Sequence, residues 1–211
     1  MSEPSPFIGA QGPQAATDRF LFAVLPDSAT IARVGQVVRT LRRDHALLGA
    51  PIPDEQLHIS LLSLGSYIGM LPQVLAGARW AASRVAQNPF TVQFNTALSF
   101  NSRSRVSNAF PAVLAGDEGT IGLETLRRSL LDSMRRLGFK NLPSNFEPHM
   151  TLLYDQRKVP EHAVAPLTWP VKEFVLLQRH IGQRRPYTVL GRWTLRGDPG
   201  AFLNAETNAR S

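Results

Sequence analysis

The 211-residue sequence contains no cysteine. That single absence excludes a disulfide scaffold, a thiolate zinc site, an iron–sulfur cluster and a cysteine nucleophile. No apolar run approaches the roughly 20 residues that a membrane-spanning helix requires. The opening stretch MSEPSPFIGAQGPQAAT lacks a basic segment followed by an apolar one, so no secretory signal is read there. With 15 Gly and 16 Pro, neither residue is dense enough for a fibrous chain. At 43% hydrophobic residues, general disorder is excluded as well. The expectation is a soluble, cytoplasmic monomer with one folded domain at 18–197, between a tail at 1–17 and a second at 198–211.

Lysine is the other scarcity. Of 23 basic residues only Lys140, Lys158 and Lys172 are lysines, and the formal net charge is +7. Up to residue 100 there are 7 basic and 6 acidic residues; beyond it there are 16 and 10, an excess of +6. The planar guanidinium fork suits phosphate, so a phosphate-bearing partner is one reading; a solvated, arginine-rich surface is the other.

Periodicity gives the coarse order of elements. Arg19 to Leu25 is a continuous apolar run stopped by Pro26-Asp27, which reads as a buried strand. Ser28 is the expected cap of a helix from Ala29 to Asp44, with Ile31, Val34, Val38 and Leu41 as its stripe. A strand is expected over Gln56–Leu64, and a helix over Leu71–Ala86. Strands at Phe90–Phe100 and Ala109–Ala115 form a hairpin with a polar, basic tip. A third helix covers Thr120–Leu137, with Gly138 placed as its terminating glycine. Strands follow at His149–Tyr154, Val171–Arg179 and Tyr187–Leu195. This is an α+β pattern with mostly antiparallel sheet.

One short internal echo carries chemistry. His58-Ile-Ser-Leu-Leu62 is matched 91 residues later by His149-Met-Thr-Leu-Leu153. Side chains alternate along a strand, so His58 shares a face with Ser60, and His149 with Thr151. Both copies follow a proline-containing turn, at Pro53 and Pro148. His-x-Ser or His-x-Thr alone is commonplace; two copies on strands, with the same flanks, are not. Two halves meeting at a shared axis would bring two imidazoles and two hydroxyls to one cleft.

On these residues the chain resembles the 2H phosphoesterase superfamily, and within it the 2′-5′ RNA ligase-like RNA 2′,3′-cyclic phosphodiesterases. Arg19-Phe-Leu-Phe-Ala-Val-Leu-Pro26 is similar to that family's opening strand. Pro53 to Gly65 and Phe146 to Leu153 are similar to its two signatures. The resemblance spans about residues 18–196, and Ser60 stands where members often carry Thr. It implies a two-lobed, pseudo-two-fold fold around a central cleft, with no metal or other cofactor. It implies that His58 and His149 act as acid and base, and that Ser60 and Thr151 hold the phosphate. The expected partners are RNA ends or small cyclic nucleotides, without a membrane. Cyclic 2′,3′-phosphate would open to 2′-phosphate, with 2′-5′ ligation as the reverse.

Arg103, Arg105, Arg184, Tyr67, Tyr154 and Tyr187 are candidate RNA contacts, Arg103 and Arg105 for backbone phosphate, Arg184 for a terminal phosphate and the tyrosines for base stacking. Two alternatives remain open at this level. One is the same chemistry on a small cyclic nucleotide, and the other is a non-catalytic module that binds RNA ends. A serine hydrolase built on Ser60 is disfavoured, because no Gly-x-Ser-x-Gly elbow is present.

Overall fold

The computed structural model describes residues 15–104, 108–183 and 185–197. The expected tails lie largely outside these residues, as do Arg105 and Arg184. Among the described residues, β1 (Asp18–Val24) leads through Pro26 into α1 (Ser28–Asp44) and then into β2 (Ile59–Tyr67). α2 (Pro72–Ser83) precedes the hairpin of β3 (Phe90–Ser99) and β4 (Phe110–Ala115). α3 (Ile121–Arg136) leads to β5 (His149–Asp155), followed by β6 (His162–Val171), β7 (Glu173–His180) and β8 (Thr188–Thr194).

The eight strands form one sheet in the order β6-β3-β4-β5-β2-β1-β7-β8, and every adjacent pair is antiparallel. Its centre is its thinnest join, since β2 and β5 are paired only at Ile59 and Met150. Outward from that join the two halves repeat one unit. Strand β1, helix α1 and strand β2 correspond to strand β4, helix α3 and strand β5, each helix linking two hydrogen-bonded neighbours. This is the expected two-lobed arrangement.

The helices cover one face of the sheet. Val34, Val38 and Leu41 of α1 are buried there, as are Leu123, Leu126, Leu130, Leu131 and Met134 of α3. They meet Phe20 and Phe22 of β1, Ile59 and Leu61 of β2, and Met150 and Leu152 of β5. Gly138 ends α3 with φ +88°, a conformation glycine adopts freely.

Several boundaries differ from expectation for identifiable reasons. The cap of α1 is Asp27 rather than Ser28, and its carboxylate accepts the Thr30 N–H at 2.7 Å. The first part of the expected Gln56–Leu64 strand is a 3-10 turn at Asp54–Gln56, and β2 runs past Gly65 to Tyr67. Leu64 is an extra residue against β1, because Phe20 pairs Gly65 while Leu21 pairs Ser63. β6 is a strand that periodicity did not reveal. Pro166 and Pro170 interrupt its sequence, and the sheet's edge is where prolines are tolerated in a strand.

Candidate active site

Opposite the helices, the sheet's other face holds a cleft of about 370 Å³ at the β2–β5 join. The register explains what gathers there. With Ile59 facing Met150, one step either way sets His58 beside Thr151 and Ser60 beside His149. Ile59 and Met150 have no solvent exposure, which turns the intervening histidines and hydroxyls toward the cleft. His58, Ser60, His149 and Thr151 all line it. Tyr154 and Tyr187 line it too.

Both imidazoles are oriented in the same way. The Nδ1–H of His58 donates to the Gln56 carbonyl at 2.7 Å, and that of His149 to the Glu147 carbonyl at 2.6 Å. A carbonyl only accepts, so Nδ1 carries the proton and, in a neutral ring, Nε2 is left as the acceptor. The Nε2 of His58 lies 3.1 Å from the Ser60 Oγ. Each ring also meets an aromatic edge to face, His58 against Tyr187 at 5.0 Å and His149 against Phe100 at 4.7 Å.

Burial pushes the His58 imidazole below the ordinary histidine value. The charges of His149 and Arg179 act in the same direction, while the bond to the Gln56 carbonyl opposes them. Burial likewise raises the Tyr187 phenol. Its hydroxyl is therefore a neutral hydrogen-bonding group at physiological pH.

Two buried charges hold the loops that lead into the histidines. Asp155, 6% exposed, accepts the N–H groups of Leu48 and Gly49 at 2.6 Å each, and that of Arg157 at 2.8 Å. That fixes the approach to Ile52 on the cleft wall. Gly49 is required at this point, because a Cβ would fall 2.0 Å from the Tyr154 carbonyl oxygen. Arg127 of α3 donates to the Pro143 and Ser144 carbonyls at 2.6 and 3.1 Å, bracing the segment before His149.

Two sequence candidates lie elsewhere. Tyr67 packs on the core side, its ring 6.0 Å from Phe20 and its hydroxyl donating to the Leu64 carbonyl at 2.6 Å. Arg103 is not part of the cleft lining. It donates to the Asn108 carbonyl and to Gln156 at 3.0 Å each, and lies over the Phe110 ring. Sequence reasoning in turn missed Arg19 and Arg179, which line the cleft at its β1–β7 end. The available signal was faint: Arg19 is the lone charge on the otherwise apolar cleft face of β1, and Arg179 ends a β7 face that begins with another charge, Glu173. Among the described residues, no group of three or more His, Asp or Glu is placed to hold a metal ion.

A sheet that doubles a strand–helix–strand unit and sets two His/hydroxyl pairs in one cleft is the architecture of a two-histidine phosphoesterase. Comparison with known proteins agrees. The family model of the 2′-5′ RNA ligase superfamily matches residues 26–183. A Thermus thermophilus protein named RNA 2′,3′-cyclic phosphodiesterase is 32% identical over 160 residues, covering 71% of this chain and 77% of that protein. E. coli LigT, solved with NADP+, superposes with a TM-score of 0.62 at 25% identity, over 85% of this chain and 98% of that one. A Thermus thermophilus crystal structure shares the fold, with a TM-score of 0.68 at 24% identity over 85% and 99% of the two chains. The chain belongs to the 2′-5′ RNA ligase superfamily of 2H phosphoesterases and is a hydrolase. No helix among the described residues is long and apolar enough to cross a membrane.

Proposed function

We propose that this protein, as a cytoplasmic monomer, hydrolyses 2′,3′-cyclic phosphate ends of RNA to 2′-phosphate ends. The supporting observation is the pairing at the sheet's centre, where each imidazole stands across from the other half's hydroxyl. Ser60 and Thr151 donate hydrogen bonds to the two non-bridging oxygens, where charge develops. His58, held neutral by its surroundings, takes a proton from water as the water oxygen bonds to phosphorus. His149, in its protonated form, gives its proton to the departing 3′ oxygen as the P–O3′ bond breaks. The products are a 2′-phosphate and a 3′-hydroxyl, and the transferred protons balance. A 5′-hydroxyl in place of water bonds to phosphorus as the same P–O3′ bond breaks and gives a 2′-5′ linkage, which is ligation. The scheme asks for no metal.

A cleft of about 370 Å³ is near the lower end for small-molecule sites, enough for a terminal nucleotide. The solved E. coli LigT complex with 3′-AMP supports a nucleotide phosphate in this fold. The test is hydrolysis of an oligonucleotide ending in 2′,3′-cyclic phosphate, with product position read by chromatography. His58→Ala and His149→Ala should each lower kcat at least about 10²-fold, as expected for a positioned acid or base. Ser60→Ala and Thr151→Ala should lose less, and EDTA should change nothing. Full activity in either histidine variant, or abolition by chelator, refutes the scheme. Turnover of mononucleotides alone favours the small-nucleotide alternative, and tight RNA-end binding without turnover favours a binding module.

A further inference from the structure

We infer that Arg19 and Arg179 form a second anion subsite, which takes the phosphodiester one nucleotide upstream of the reacting cyclic phosphate. The inference deepens the reading above, since it takes the reacting group to be the cyclic phosphate of a nucleotide. The two arginines are direct partners across the β1–β7 pairing, and both are exposed on the cleft wall. Their alignment depends on the same alternation that places Leu21 beside Leu177, and Ala23 beside Val175, in an apolar floor.

Distance separates this pair from the reacting phosphate. Ala23 is the partner of Ser60 on β2, and Arg19 lies four residues from Ala23 along β1. At about 3.3 Å per residue that is about 13 Å, a span an arginine side chain does not cover. The Leu21–Leu177 step lies between, an apolar surface suited to a sugar. Tyr187 connects the two ends, with its ring against His58 in the cleft that Arg179 also lines.

Charge makes the pair an anion site. Among the described residues no carboxylate forms an ion pair with either guanidinium. The nearest in sequence, Asp18, is on the opposite face of β1, bonded to Gln178 at 2.8 Å and to His180 at 2.7 Å. Two like charges held side by side without a counter-ion favour an anion, and guanidinium forks suit phosphate oxygens. Among the described residues, the cleft wall contributed by the other half consists of Ser104, His149, Thr151 and Tyr154, with no arginine or lysine. The cleft is therefore polar end to end, and the RNA backbone leaves it over β1 and β7.

The test compares adenosine 2′,3′-cyclic phosphate with its 5′-phosphorylated counterpart. The wild type should favour the 5′-phosphorylated compound by about tenfold or more in kcat/KM, through KM, as a charge-assisted contact provides. The R19Q/R179Q double variant should lose that preference, and R19K/R179K should recover part of it. Calorimetric binding of adenosine 2′,5′-bisphosphate against adenosine 2′-phosphate reads the same ratio without turnover, so failure of hydrolysis alone would overturn only the proposed reaction. Equal affinity of the wild type for these two ligands overturns the subsite. Equal losses for both substrates in the double variant also overturn it, by assigning the arginines to the reacting phosphate.

Discussion

The Nδ1–H of His58 is committed to a carbonyl two residues back, which leaves Nε2 facing the Ser60 hydroxyl in the cleft. Burial holds that ring neutral to lower pH than an ordinary histidine, and the charges of His149 and Arg179 reinforce it. If His58 is the base, activity is lost when it becomes protonated. The acid limb of kcat/KM against pH should then fall below about 6.5, the ordinary histidine value. NMR titration offers a direct check. Replacing Arg179 by Gln removes a lowering charge, so the His58 midpoint should rise. A wild-type midpoint at or above the ordinary value would remove His58 from the role of base. The His/hydroxyl pairs were legible in the sequence because each is a local motif whose facing follows from strand alternation. Arg19 and Arg179 were not, because their partnership depends on the register between two strands distant in the chain. Tyr67 was misplaced for a related reason: the strand was expected to end at Leu64, whereas β2 continues to Tyr67 and pairs it with Asp18, on the face away from Arg19.

Among the elements, α1 and α3 were readable because an unbroken stripe at helical spacing has few other interpretations. The join between them and the site was not, since it rests on buried polar contacts between distant segments. Asp155 ends β5 yet secures the backbone of Leu48 and Gly49, more than a hundred residues earlier. Asp155→Ala leaves three N–H groups without that acceptor and should destabilise the protein by about 2–4 kcal/mol. It should also weaken kcat, because Ile52 and the turn before His58 lose their anchor. Chemical denaturation and steady-state kinetics on the same preparation would measure both effects. A variant with wild-type stability would show that the loop holds itself. β6 illustrates the opposite failure of legibility. Its prolines argue against a strand in isolation, whereas its buried Leu167, Trp169 and Val171 alternate against β3 once the edge position is known.

Across the whole molecule, a single residue pair joins the central strands β2 and β5 of two similar halves, and the cleft lies over that thin join. Much of what ties distant strands together is carried by carboxylates kept ionised in the folded state. Asp18 is lowered first by the Thr17 hydroxyl, then by Gln178 and by His180, against the cost of its burial. For Asp155 burial is the largest influence and acts upward, but the N–H groups of Arg157, Gly49 and Leu48 together outweigh it. A carboxylate whose folded value lies below its unfolded one stabilises fully above the unfolded value, about 3.9 for Asp. That contribution is lost as pH falls through the lower folded value. Melting temperature should therefore be nearly flat in these groups from neutral pH to about 5, and then drop steeply below about 4. Neutralising carboxylates on a chain of net charge +7 adds repulsion in the same direction. In the Asp18→Asn/Asp155→Asn double variant the melt at pH 7 should be lower, and the decline between pH 5 and pH 3 shallower, than in the wild type. Parallel declines for the two proteins would mean that acid unfolding is driven by net charge alone.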